Sequence, residues 1–127
     1  MTYEQLIQCF SNDENLKINK NECSDSHFGS FIFELEYKNA LPVRIINDRG
    51  LIEMYLLSPG IFSKTELPLE YAVDFLKGNK AVKEQYIFEN IEHAYTYFVN
   101  SYKALDKIID DKSLKIITKQ WKKGNKQ

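Results

Sequence analysis

The sequence FGSFIFELEYKNALPVRIINDRGLIEMYLL, residues 28–57, decides the fold of this chain of 127 residues. From residue 31 to residue 37, Phe, Phe, Leu and Tyr alternate with Ile32, Glu34 and Glu36. A period of two predicts a strand with one buried face. Two more apolar runs follow at 41–47 and 51–57, and they are separated by the turn residues Lys38-Asn39-Ala40 and Asn47-Asp48-Arg49-Gly50. Three strands joined by two tight turns predict an antiparallel meander.

The residues before the meander predict a helix and an edge strand. Thr2 with Gln5 three residues later has the form of a capping box, and apolar residues at helical spacing follow it. We therefore predict a helix over residues 2–11. In residues 16–22 apolar residues alternate with lysines, a pattern typical of a short and exposed edge strand.

Two helices are predicted after the meander. The first opens at residues 65–68 with Pro68 in its first turn, and Gly78 with Asn79 ends it. Its apolar stripe comprises Leu69, Ala72, Val73 and Leu76. The second stripe runs in steps of three and four along Phe88, Ile91, Tyr95, Phe98, Tyr102, Leu105 and Ile109. It predicts one long helix laid across the sheet, and Leu114, Ile117 and Trp121 predict a further short helix.

These elements predict a single α+β domain over residues 1–127. We expect an antiparallel β-meander of three or four strands packed with helices mainly on one face, including a long C-terminal helix. The basic tail from about residue 122 is expected to be frayed.

Composition is that of a soluble globular chain, with 43% hydrophobic and 28% charged residues. The N-terminus has no basic n-region, so we expect no signal peptide. No apolar run approaches the roughly 20 residues that span a membrane. Cys9 and Cys23 are expected to be reduced, with Cys9 in the core, and these features together predict a cytoplasmic protein.

Charge is distributed unevenly along the chain. Residues 1–111 carry eleven Lys and Arg against eighteen acids, a balance of −7. Residues 112–127 carry six Lys and no acid, a balance of +6. An acidic body repels phosphate, so we predict no direct nucleic-acid binding and interpret the lysine tail as a solvated terminus.

No residue pattern in the chain requires an enzyme, a metal or a cofactor. Cys23 and His27 are four residues apart but flank a loop, and the two further ligands that zinc needs are not marked. His93 is far from both in sequence. There is no G-x-S-x-G motif and no glycine-rich phosphate loop. We therefore predict no catalytic, cofactor-binding or metal-binding residues.

Three carboxylates are the candidate partner-binding residues. Glu34 and Glu36 lie two apart on one strand face, and Glu53 on a neighbouring strand can share it. Carboxylates in this arrangement are open to three interpretations: acid–base catalysis, the solvated face of a sheet, or an acidic docking patch. We interpret the turn at Asp48-Arg49-Gly50 as a structural staple outside the binding face, with Asp48 capping local backbone amides.

The chain resembles the immunity proteins of bacterial polymorphic toxins over roughly residues 28–110. The resemblance is carried by Phe28-Gly29-Ser30 at the first strand, by Asp48-Arg49-Gly50 before an apolar strand, by Phe75-Leu76-Lys77-Gly78 at a helix end, and by the aromatic stripe that follows. It implies a cytosolic protein that binds and neutralises a cognate toxin domain, as in contact-dependent growth inhibition. Many such toxins are nucleases.

Our functional hypothesis is therefore an immunity protein that occludes the C-terminal domain of a cognate toxin, one-to-one, without catalysis or membrane binding. A basic toxin domain is the expected partner, with association that slows as salt rises. The alternatives are a non-enzymatic adaptor or secretion chaperone, and a small enzyme that uses Glu34, Glu36 or Glu53 beside an apolar pocket. The sequence also leaves a homo-oligomer open.

Overall fold

The computed structural model describes residues 1–23, 30–38, 41–57, 66–76, 78, 87–107, 116, 117 and 119. The elements in chain order are α1 (Tyr3–Asn12), β1 (Leu16–Cys23), β2 (Phe31–Tyr37), β3 (Leu41–Asp48), β4 (Leu51–Leu57), β5 (Glu66–Pro68), α2 (Leu69–Leu76), α3 (Ile91–Asn100) and α4 (Tyr102–Leu105). The predicted α+β class is confirmed. None of these helices is long and apolar enough to cross a bilayer.

The strands form one antiparallel sheet in the order β1-β2-β3-β4-β5. This is the predicted meander, but it has five strands where three or four were expected. The added strand is β5, which we had assigned to the opening of a helix. Leu67 faces inward there and pairs with Leu56 of β4, and it is buried. Pro68 lacks an N–H to donate, which an edge strand tolerates. The helix α2 begins one residue later.

The two faces of the sheet differ as the alternation predicts. The inner face carries the buried side chains Phe31, Phe33, Leu35, Tyr37, Val43, Ile45, Ile52, Met54 and Leu56. The outer face carries the residues between them, and most are half-buried. Full burial of a large apolar side chain stabilises a fold by about 1.5–3 kcal/mol, so the inner face supplies much of the folding free energy.

Helix α1 covers part of the inner face. Its predicted capping box is present: the Gln5 backbone N–H donates to Thr2 Oγ1 at 3.2 Å, and the Thr2 N–H donates to Gln5 Oε1 at 2.8 Å. The ring of Phe10 packs edge-on against Phe33 of the sheet and Phe98 of α3, with centroids 5.1 and 6.1 Å apart. This aromatic contact joins the first and last parts of the domain.

A single long C-terminal helix is not confirmed. Phe88 lies outside α3 and forms a β-bridge with Ile52, whose N–H donates to the Phe88 carbonyl at 2.7 Å. Helix α3 ends at Asn100, and its C-cap Ser101 is a buried residue whose hydroxyl donates to the Tyr97 carbonyl at 2.7 Å. A serine bond to the preceding turn competes with the helical backbone and often bends a helix. Phe98 and Leu105 are buried as the stripe predicts.

The β3–β4 hairpin has a two-residue turn in which both residues have positive φ, 56° at Arg49 and 91° at Gly50. Positive φ at both positions matches the twist of the flanking strands, and glycine adopts it without strain. The expected cap by Asp48 is wrong. The Gly50 N–H donates to Asn47 Oδ1 at 2.8 Å instead, because Asn47 is buried in the strand while Asp48 is exposed.

Neither Cys9 nor Cys23 is in a disulfide bond. Cys9 is half-buried rather than in the core as expected, and Cys23 is exposed. Ile117 is buried, as its place in the last stripe predicts. The predictions for His27, Phe28-Gly29, Asn39, Asn79, Ile109, Leu114, Trp121 and the tail lie outside the described residues.

Candidate docking surface on the outer face of the sheet

The three candidate glutamates share the outer face, as expected. Glu34 of β2 pairs with Arg44 of β3, and Glu53 of β4 pairs with Ile46 of β3. The three carboxylates do not form one patch, however. Glu34 and Glu53 belong to strands two spacings apart, a lateral separation of roughly 10 Å.

Glu34 is held in an ion pair. Arg44 donates to Glu34 Oε1 from Nε at 3.3 Å and from Nη2 at 3.0 Å, and both side chains are partly buried, with 27% and 30% exposure. Lys20 of β1 is the cross-strand neighbour of Glu34 on its other side. In the register Glu34 thus stands between Arg44 and Lys20.

Glu36 is engaged in a similar way. The β1–β2 register shifts between Ile18 and Lys20, and this irregularity inserts Asn19 into the edge strand. The Asn19 amide donates to Glu36 Oε1 at 2.7 Å, and Lys17 is the cross-strand neighbour of Glu36. We call Lys17, Asn19, Glu34, Glu36 and Arg44 the paired end of the outer face.

The other end of the same face has a different composition. The register places Glu22, Ile32, Ile46 and Glu53 in one row across four strands. Two apolar side chains thus stand between two acids. Asp48 follows two residues after Ile46 on the same strand face and is exposed. We call Glu22, Ile32, Ile46, Asp48 and Glu53 the acidic end.

An open cleft of about 400 Å³ lies at the acidic end. The described residues that line it include Glu22, Cys23, Ser30, Ile32, Ile46 and Asp48. Phe31 and Asn47 of the inner face line it as well, and its two acids are Glu22 and Asp48. Sequence reasoning did not name Glu22 and placed Asp48 outside the binding face, whereas both line the cleft. Their position depends on the β1–β2 register and on the hairpin turn.

Within the described part of the chain, Lys20 is the cation in an ion pair with an acid of the acidic end. Lys20 Nζ lies 3.5 Å from Glu22 Oε1, but the two side chains are 48% and 61% exposed, so the pair is weak. Glu53 Oε2 accepts a hydrogen bond from the Tyr55 hydroxyl at 2.5 Å, which fixes its direction without cancelling its charge. Negative charge on the outer face is therefore concentrated at this end.

The lining of this cleft, among the residues that the structure describes, includes Glu22 and Asp48 but not the three candidate glutamates. Among the described residues no group of three His, Cys, Asp or Glu is arranged to hold a metal. A further carboxylate, Glu70 in the first turn of α2, is buried at 1% exposure. The positive end of the helix dipole favours an acid there.

A second polar cluster lies at the opposite end of β2. The Tyr37 hydroxyl donates to Asp106 Oδ1 at 2.5 Å, and Lys38 Nζ lies 2.7 Å from the same oxygen. Burial and the bond to Asp106 raise the pKa of Tyr37. The bonds from Lys38 and Tyr37 hold the pKa of Asp106 below its ordinary value. This cluster joins the β2–β3 turn to the end of α4.

Comparisons with known proteins identified no relative of this chain. A scan against protein-family models finds no match, and searches of curated proteins and of solved structures find none.

Proposed function

We propose that this protein is a cytoplasmic immunity protein that binds the C-terminal domain of a cognate bacterial toxin, one-to-one, and neutralises it by occlusion. The acidic end of the outer face is the binding surface. No cofactor and no catalytic residue takes part.

One observation carries the proposal: an apolar pair, Ile32 and Ile46, lies within a rim of carboxylates on a sheet face. An apolar centre with a polar rim is the usual anatomy of a protein–protein interface. The resemblance of residues 28–110 to immunity proteins supports the same class of partner.

The charge of the chain supports a basic partner. Residues 1–111 carry a balance of −7, and the acids of the outer face concentrate at the acidic end. A nuclease domain presents basic residues to phosphate, so an acidic protein competes for the same surface. Charge complementarity mainly raises the association rate and suppresses wrong partners.

Co-expression with the product of the adjacent gene tests the proposal. We expect the two proteins to co-purify as a one-to-one complex and the protein to protect cells that express the toxin domain. Failure of both co-purification and protection would overturn the proposal. A complex with secretion machinery instead would favour the adaptor or chaperone alternative.

The salt dependence of the association rate tests the electrostatic part of the proposal. Association measured at roughly 0.05 and 0.5 M salt should slow at the higher concentration, because the Debye length falls well below 10 Å across this range. A rate independent of salt would leave an apolar interface as the basis of occlusion.

A further inference from the structure

At the acidic end, the distance between Glu22 and Glu53 favours a ligand in an extended conformation. We infer that it binds an extended segment of the partner with the pattern basic–x–apolar–x–basic, in which both basic side chains meet Glu22 and Glu53. This inference rests on the proposed function for the identity of the partner, but the chemistry of the segment follows from the row itself.

Strand spacing gives the length of the site. Glu22 and Glu53 lie on strands three spacings apart, and neighbouring strands are about 4.8 Å apart, so the two acids are separated by roughly 14 Å. In an extended segment, alternate side chains share one face and are about 6.7 Å apart. Residues i and i+4 of such a segment therefore span roughly 13 Å, which matches the two acids.

The central residue of the segment meets the apolar pair. Residue i+2 stands midway between the two basic side chains, and the midpoint of the row falls between Ile32 and Ile46. A helical segment does not fit in the same way, because its i and i+4 side chains are only about 5–6 Å apart. The row thus favours an extended ligand over a helical one.

The positive charge expected of the ligand follows from the contrast between the paired end and the acidic end of the outer face. At the paired end Glu34 and Glu36 already accept bonds from Arg44 and Asn19. At the acidic end Glu53 accepts a bond from the Tyr55 hydroxyl, and Glu22 is paired with the exposed Lys20. The five residues of the paired end include two acids and two cations, whereas those of the acidic end include three acids and no cation. Cationic side chains from a partner therefore gain more at the acidic end.

A capped peptide of sequence GRTLTRG is the probe, and amide cross-peaks of the ¹⁵N-labelled protein are the readout. We expect titration at millimolar peptide to shift the amides of Ile32, Ile46 and Glu53 most. The peptide GLTTRRG, which has the same composition but adjacent arginines, should bind more weakly, and GETLTEG should produce no such shifts.

Two charge-matched variants separate the two ends. Glu22→Gln combined with Glu53→Gln should weaken GRTLTRG binding about three- to tenfold, the effect of losing two exposed ion pairs. Glu34→Gln combined with Glu36→Gln removes the same charge and should change the affinity less than about twofold, because those acids lie outside the row that the segment follows. The amide substitutions keep side-chain shape, and thermal melting of each variant checks that the fold is intact.

The outcomes distinguish this inference from the proposed function. Shifts centred on the paired end, equal binding of GRTLTRG and GLTTRRG, or equal loss in the two double variants would each overturn the extended-segment inference. The immunity proposal depends instead on capture of the toxin domain. Shifts and losses confined to the acidic end support the inference whichever gene product is captured.

Discussion

The inner and outer faces of this sheet come from the same alternating strands but have different roles. On β2 the inner residues Phe31, Phe33 and Leu35 are at most 3% exposed, while the outer residues between them are half-buried. The inner face gains its free energy from apolar area and dense packing. The outer face gains little from its ion pairs, because their side chains are exposed or only partly buried. The buried core thus lies on one side of this layer, and the binding surface that we propose lies on the other.

The largest effect is expected from a charge placed against the inner face. Phe98 is fully buried, and Phe98→Asp loses its packing and buries an unpaired carboxylate, so the free energy of unfolding should fall by more than about 3 kcal/mol. Loss of soluble protein, or a strongly lowered melting temperature, is the measurement. Thr96→Asp, at an exposed position of the same helix, is the control and should remain folded. A Phe98→Asp variant as stable as the wild type would contradict the assignment of the core.

The β3–β4 turn tests stability without any change in buried area. A Cβ at Gly50 meets nothing within 4 Å, so substitution costs only the backbone strain of φ +91°. Gly50→Val should lower the free energy of unfolding by about 1–2 kcal/mol, measured by urea titration. Gly50→Asn should cost less, because asparagine tolerates positive φ better than valine. Equal costs for the two variants would show that strain is not the cause.

The paired end should contribute less to stability than either of these sites. A double-mutant cycle with Glu34→Gln and Arg44→Gln should give a coupling free energy below about 1 kcal/mol, since the pair is only partly buried. Urea titration of the four proteins gives the value. A coupling above about 2 kcal/mol would mean that the outer face shares the structural role of the inner face.

The smallest effect is expected at Asp106, where a surface carboxylate contacts Tyr37 at the end of the inner face. Its pKa is lowered from 3.8, so its contribution to stability is present above that pH and is lost as pH falls through the lower folded value. The melting temperature of the wild type should therefore exceed that of Asp106→Asn at neutral pH, and the difference should shrink below pH 3.8. A difference that does not change with pH would contradict this reading.

Local signals in the sequence predicted much of the fold. The period of two gave the three central strands with their faces, and Thr2 with Gln5 predicted the cap of α1. The fifth strand was missed because it has only three residues and lies next to a helix. The break at Ser101 was missed because an apolar stripe at helical spacing continues through it.

The candidate site, like the fold, was predicted from the sequence only in part. The sequence by itself determined that Glu34, Glu36 and Glu53 share one face, since side-chain direction in a strand depends only on odd and even position. Only the tertiary structure decided which carboxylates are engaged and which acids surround the cleft. Register depends on long-range pairing, and the irregularity at Asn19 together with the turn at Gly50 sets which residues of different strands become neighbours. A row such as Glu22, Ile32, Ile46 and Glu53 joins residues up to thirty-one positions apart, and no local pattern in the chain encodes it.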